Sequence, residues 1–399
     1  VHQVKLGFET KMLDLMRLYI GGPYNPVPYK SFYDHNPIEA SAYIQDKMEF
    51  ESWGMVINAG IRMDFMDTNA RYFEDPNDPT QSTLKDADKK LYLSPRLGIA
   101  HPITDRAVLH FAYGHFYQVP DYQYIYWFEN KDFGPYPDMS VDGVYSEIGN
   151  ANLKPEKNIQ YEVGLEMTLG SDYALDITAH YKDTYDYLGE KRYQATPAAY
   201  HRFVNLDYNN SKGIEITLRK RFSKNFGGQI NYTFSRAEGN APNIDTHFNE
   251  WYSLSVYNTY PPKKMVTMDW DQTHTLNFVF DYRRVNNWSV NVVGNYGSGL
   301  PYTPLSARGI RLDEPMSARM PWTMNINLRA TKIFNFMGLK YTLFADVHNL
   351  LNKKNVLAVW GNSGKADATI DWDDTEDFVN RPHFFSPPRT LQLGLAIGF

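Results

Sequence analysis

The 399-residue chain contains no cysteine, which excludes a disulfide framework and thiolate metal ligation and leaves the compartment open. It has no apolar run of about 18 residues, and its mean hydropathy is -0.51, so no helical membrane span is expected. Long basic runs are missing too, and with a net charge of -6 nucleic acid is not an expected partner. No HExxH, Gly-x-Ser-x-Gly or Walker sequence is present. Gly297-Ser298-Gly299 lacks the third glycine of a dinucleotide fingerprint, and Gly361-Asn362-Ser363-Gly364-Lys365 lacks P-loop spacing; both read as loop glycines. The 11 histidines are scattered singly, which argues against zinc. Neither an enzyme role nor a cofactor is expected.

What the chain does have is aromatic side chains, 15% of residues, with 30 Tyr and 8 Trp. Such amphipathic rings suit a membrane-interface belt, and equally a glycan-binding surface. The second abundant feature is two-residue alternation. Leu391, Leu393, Leu395, Ile397 and Phe399 share one face of a strand and leave Gln392, Gly394, Ala396 and Gly398 on the other. The same division sets Ile159, Tyr161, Val163, Leu165, Met167 and Leu169 against Gln160, Glu162, Gly164, Glu166 and Thr168, and Ile230, Tyr232 and Phe234 against Gln229, Asn231, Thr233 and Ser235. One face of each strand is wet and one is apolar.

Soluble sandwiches alternate as well, so the connections discriminate. Gly170-Ser171-Asp172, Ser223-Lys224-Asn225, Val285-Asn286-Asn287 and Asn335-Phe336-Met337-Gly338 read as tight turns. Between them stand long connections over 11–37, 67–90, 119–156, 187–210, 237–271, 299–318 and 350–388, well beyond the usual few residues. Short and long alternate throughout, the signature of a transmembrane barrel with short periplasmic turns and long extracellular loops. The expected fold is an all-β, antiparallel, up-and-down transmembrane β-barrel of about 14 strands. These lie near 1–10, 38–50, 53–66, 91–101, 106–118, 157–169, 172–186, 211–222, 226–236, 273–285, 288–298, 319–334, 339–349 and 389–399. Opening on Val1-His2-Gln3 without Met or a leader, the chain is expected to be a processed or truncated product.

Ala42-Tyr43-Ile44-Gln45-Asp46-Lys47 and Asn58-Ala59-Gly60-Ile61-Arg62-Met63-Asp64 begin a series of motifs. It continues through Ser94-Pro95-Arg96-Leu97-Gly98, Tyr113-Gly114-His115-Phe116-Tyr117-Gln118-Val119-Pro120 and Asn152-Leu153-Lys154-Pro155-Glu156. Glu162-Val163-Gly164, Gly213-Ile214-Glu215, Asp271-Gln272-Thr273-His274 and Val347-His348-Asn349-Leu350-Leu351-Asn352 complete it. In this order, from residue 38 to the end, the series resembles the TonB-dependent outer-membrane receptors. The first motifs, with Asp75-Pro76-Asn77-Asp78-Pro79 between them, are most similar to the Oar-like branch, whose members carry a carboxypeptidase-regulatory-like domain, and more loosely to SusC-type glycan importers.

The resemblance implies energised uptake of a peptide or glycan ligand across the outer membrane of a Gram-negative bacterium. Its implied partners are TonB through an upstream segment, the barrel assembly machinery, outer-membrane lipid and lipopolysaccharide and, as in SusC-type relatives, a lipoprotein lid. Family barrels have about 22 strands around a plugged lumen. Residues 1–399 are therefore expected to be the C-terminal part of a longer receptor, with the plug and first strands upstream. The terminal strand resembles the assembly signal of such barrels at Gln392, Gly394, Ile397 and Phe399, and Phe399→Ala is expected to impair assembly more than ligand affinity.

Ligand-contact candidates are the loop aromatics Tyr122, Tyr124, Tyr126, Trp127 and Phe128, with Tyr252, Tyr257, Tyr260 and Trp360. Their rings suit stacking on sugars or gripping apolar peptide side chains, or else packing the loops. Asp371, Asp373, Asp374, Glu376 and Asp377 offer hard oxygens for calcium but lack the spacing of a calcium loop, so a solvated acidic loop is expected and no metal site. Inward Glu162, Glu166, His180, Lys182, Glu215, Arg219 and Arg329 read as polar lumen lining. Two other function classes stay open: an autonomous passive pore of about fourteen strands, and a soluble aromatic-rich glycan-binding β protein.

Overall fold

Strands with one apolar and one polar face, paired in register, join into a sheet with two continuous and opposite surfaces. A computed structural model describes the chain apart from residues 22–28, 79–81, 128–146, 196–198, 245, 247–263, 308, 370–380 and 399. Fourteen long strands follow one another antiparallel in chain order. They are β1 (His2–Met12), β2 (Ile38–Phe50), β3 (Met55–Asp67), β4 (Lys90–Thr104), β5 (Ala107–Gln118), β6 (Glu156–Leu169) and β7 (Tyr173–Tyr193). There follow β8 (Tyr200–Ser223), β9 (Phe226–Gly239), β10 (His274–Arg284), β11 (Trp288–Gly297), β12 (Thr323–Phe336), β13 (Leu339–His348) and β14 (Thr390–Gly398). The all-β, up-and-down antiparallel order is the one expected. The sheet is open: among the described residues β1 pairs along its length only with β2, and β14 only with β13.

The register joins the apolar positions. Phe8, Ala42, Met63 and Leu93 stand across from one another on β1 to β4, and Val292, Leu328, Val347 and Leu391 on β11 to β14. This face is bare, with Leu6 74% and Leu393 75% exposed, far more apolar surface than a protein keeps in water. The opposite face carries Gln45, Gly60, Arg96, Gly114, Gln160 and Lys182 in one row, and Asn231, Asn277, Asn295 and Asn325 in another.

At one rim the turns are tight. Lys224 and Asn225 link β8 to β9 with φ of 48° and 67°, left-handed at both central positions as the twist of a hairpin favours. β12 runs on to Phe336, because Asn335 and Phe336 pair with Lys340 and Leu339. The expected four-residue turn therefore shrinks to Met337-Gly338, with φ of 50° and 77°.

At the other rim the long connections are more regular than expected. The stretch 187–210, read as a loop, is a continuation of β7 and β8 paired up to Tyr193 and Tyr200, after register shifts near Thr184–Leu188 with Asp186 at φ 55°. Above the apolar band both faces of this hairpin meet protein or water. The two-residue pattern lapses there while the hydrogen-bond ladder goes on. Leu15–Gly21 likewise pairs with Tyr29–His35, and Arg71–Phe73 with Leu84–Asp86. The largest buried apolar cluster lies among these loops, where Met66, Tyr126, Leu153, Leu188 and Phe203 pack together.

Candidate ligand site at the long-loop rim

Tyr122, Tyr124 and Tyr126 would share one face of a strand, but Tyr122–Tyr126 is a short helix, α1, so Tyr122 and Tyr126, four residues apart, stack on one face with ring centroids 5.8 Å apart while Tyr124 points away from them. Each grips a different segment. The Tyr122 hydroxyl donates to Glu39 Oε1 at 2.5 Å at the start of β2. The Tyr124 ring meets Phe203 edge-on at 4.9 Å. The Tyr126 hydroxyl donates to the Thr68 carbonyl at 2.6 Å, and its ring stacks on His35 at 4.4 Å. Trp127 lies beneath the Arg17 guanidinium at 4.4 Å. Burial and the Glu39 carboxylate push the Tyr122 hydroxyl up, so it stays a proton donor.

At 1% exposure Tyr126 has no face left for a ligand. Tyr122, Tyr124 and Trp127 are half-buried and keep an edge outside. Trp360 is placed elsewhere, in the last long loop against Phe384 at 5.6 Å and under Arg381 at 4.9 Å. Phe128, Tyr252, Tyr257, Tyr260 and the acidic residues Asp371, Asp373, Asp374, Glu376 and Asp377 lie outside the described residues. Among the described residues no group of three His, Cys, Asp or Glu is placed to hold a metal ion.

Beside α1 the hairpin of β7 and β8 buries charge. Glu190 and His201 are 2% and 1% exposed, with Oε2 and Nδ1 3.9 Å apart. Arg202 donates to Asn150 Oδ1 at 2.9 Å and lies 4.5 Å over the Phe73 ring. Burial, with the Arg192 cation adding to it, lowers the His201 pKa to about 4, so the imidazole is neutral at neutral pH. Burial and the Glu156 carboxylate lead in pushing Tyr187 up to about 12.

The quoted motifs act as staples at this rim. Asn205 pairs its amide with both the N–H and the carbonyl of Lys154, at 2.8 and 2.9 Å, standing in for a strand neighbour and holding Leu153 at zero exposure. Asn355 pairs in the same way with Met324, at 2.8 Å for both bonds. Asp271, 2% exposed, accepts from the Ala237 N–H at 2.7 Å and from Arg319 Nη2 at 2.5 Å. Asn349 bridges the carbonyls of Lys353 and Pro387.

On the inner wall Glu162 stands directly across from His180, whose Nδ1 is 3.7 Å from Glu215 Oε1. Arg219 donates to Gln229 at 3.2 Å, and Arg329 faces Asp346 at 3.6 Å. In the terminal strand Gln392 pairs with Asp346 and Gly394 with Phe344, while Ile397 joins the apolar face opposite Tyr341; Phe399 lies outside the described residues. The reading by residue type passed over Arg17, His35 and Phe203, which meet α1 from remote loops. No local pattern marks them.

A family model described as "TonB dependent receptor-like, beta-barrel" matches residues 2–350. Among solved structures the chain is similar to the copper transporter OprC, at TM-score 0.59 and 13% identity, with 99% of this chain and 54% of that one covered. The ferric-catecholate import receptor Fiu from E. coli K12 gives 0.60 and 13%, with 99% and 51% covered. The ferric citrate transporter FecA, unliganded, gives 0.56 and 15%, with 100% and 51% covered. The chain thus spans about half the length of these structures, and at such identity the likeness is one of fold. No curated protein matches by sequence.

Proposed function

Because the chain belongs to the TonB-dependent receptor β-barrel family, we propose that it is the C-terminal part of an outer-membrane importer. Its long loops capture a ligand too large for passive diffusion, and TonB supplies the energy of uptake. The observation that carries this reading is the pairing of a continuous bare apolar face with long loops gathered at one rim. Such a face is stable against lipid and unstable in water, which tells against the soluble glycan-binding alternative. Half-buried Trp127 and Tyr124 are the contact residues proposed for a peptide or glycan, with Trp360 on a separate loop. The Oar-like wording of the first motifs supports a branch whose members carry an upstream carboxypeptidase-regulatory-like domain. Lipopolysaccharide around the barrel, the assembly machinery and a lipoprotein lid are proposed with it.

The test is growth on a peptide digest or a glycan mixture as limiting nutrient, comparing wild type, a receptor deletion and a TonB deletion. Loss of uptake in both deletions is expected. Uptake that survives removal of TonB but not of the receptor would establish the passive pore instead. Alanine at Trp127 and Tyr124 is expected to lower uptake while the assembled receptor remains at normal levels; undiminished uptake removes these residues from the ligand site.

A further inference from the structure

On the last five strands the apolar face carries charge in one row only. Arg284, Trp288, Lys332, Leu343 and Leu395 stand across from one another on β10 to β14. Asp281, Arg283, Arg329, Lys340 and Asp346, the remaining charged residues of these strands, all fall on the polar side. There Arg283 faces Asp281 at 3.1 Å and Arg329 faces Asp346 at 3.6 Å. Arg284 and Lys332 are exposed and have no carboxylate partner among the described residues. Lys332 Nζ donates to Asn287 Oδ1 in the tight turn between β10 and β11.

A cation facing hydrocarbon is costly unless its end reaches the interface or an anion. Aromatic stacks fix the depth of this row: Trp288 lies on Tyr282 at 4.7 Å, and Phe334 on Tyr341 at 5.3 Å. Such rings sit at headgroup level, here at the tight-turn rim. One row further into the apolar band, Val290, Ala330, Ala345 and Leu393 stand in register. Ala330 and Ala345 end at Cβ between longer neighbours, so a groove of about 620 Å³ runs over them, with Lys332 and Trp288 in its wall at the turn side.

We propose that this groove is a binding site for an anionic glycerophospholipid of the leaflet at the tight-turn rim. One acyl chain fills the groove over Ala330 and Ala345, and the phosphate accepts from Lys332, with Arg284 across Trp288 as the second cation. Two cations with no carboxylate beside them select an anion, and the apolar groove selects a chain attached to it. The site rests on the reading of the bare face as lipid-facing, and needs neither TonB nor import.

The whole receptor, purified in detergent, is offered phosphatidylglycerol and phosphatidylcholine of identical chains in equal amounts, and the lipid retained is counted by native mass spectrometry. Preferential retention of phosphatidylglycerol is expected. Lys332→Gln and Arg284→Gln should each reduce the preference about fivefold, and Ala345→Leu, which fills the groove, should lower retention with both cations in place. Lys224→Gln, in the β8–β9 turn at the same rim, should change nothing. Equal retention of the two lipids by wild type, unchanged preference in assembled Lys332→Gln, or an equal loss in Lys224→Gln overturns the proposal. Heat-modifiable migration reports assembly; should Ala345→Leu fail to assemble, the lipid competition and Lys332→Gln decide. Recovery of the receptor in water without detergent would instead remove the lipid-facing reading, and this site with it.

Discussion

Gly394 of β14 stands directly across from Phe344 of β13, and the Phe344 ring fills the place of the missing side chain, with Cζ 2.1 Å from where a Cβ would be. The glycine of the terminal strand thus has a packing reason of its own: the ring covers an otherwise bare stretch of backbone between the last two strands. Arg329 lies over the same ring at 5.3 Å.

Gly394→Val would force Phe344 out of its place, an overpacking cost of about 1–3 kcal/mol. A reduced heat-modifiable fraction is expected, and Phe344→Ala added to the same chain should restore part of it. If the valine variant assembles like wild type, the contact does not constrain the last strand pair.

Asp271→Asn leaves Arg319 without its anion and weakens the acceptor held by the Ala237 N–H. With Asp271 2% exposed and Arg319 36%, a loss of about 2–3 kcal/mol in local stability is expected. Limited proteolysis should cut residues 299–319 faster in the variant. Apolar-face strands should be unaffected.

Leu153→Ala opens a hole where the loops from four different connections meet. Truncating a fully buried leucine costs about 2–5 kcal/mol, and the loss falls on the loop cluster rather than on the sheet. The expected readout is faster protease cleavage in the loops with unchanged heat-modifiable migration; loss of the assembled barrel itself would show the cluster and the sheet to be one cooperative unit.

His201 sets a pH dependence. Its pKa falls from 6.5 to about 4 on folding, through burial first and then Arg192. The unfolded chain therefore binds the proton more readily between these values. Loop stability is full above pH 6.5 and declines as pH falls toward about 4, by on the order of 2–3 kcal/mol. Hydrogen exchange at the hairpin of β7 and β8 should accelerate across that window, and His201→Gln should flatten the profile. Wild-type exchange that follows only the intrinsic chemical rate across the window would remove the histidine from this role.

The strands were legible because their signal is local. Ile159 to Leu169 alternate over a single segment, and burying one side of such a segment needs no knowledge of its neighbour. The extension of β7 and β8 through 187–210 was not legible, since above the apolar band the faces no longer differ in surroundings. Tyr122, Tyr124, Tyr126 and Trp127 could be singled out by type, but not divided by exposure. That division depends on Arg17, His35, Thr68 and Phe203, brought in by three other connections.

By itself, then, the sequence determined which residues form the strands of the apolar band, which side of each is apolar, and which rim holds the long connections, because a period of two and a loop length are properties of a contiguous stretch. Only the tertiary structure decided that Gly98 has no atom nearer than 3.8 Å to where a Cβ would stand while Gly394 is covered by the Phe344 ring. That outcome depends on the register between strands and on where each neighbouring side chain leans, and neither is written in any one segment.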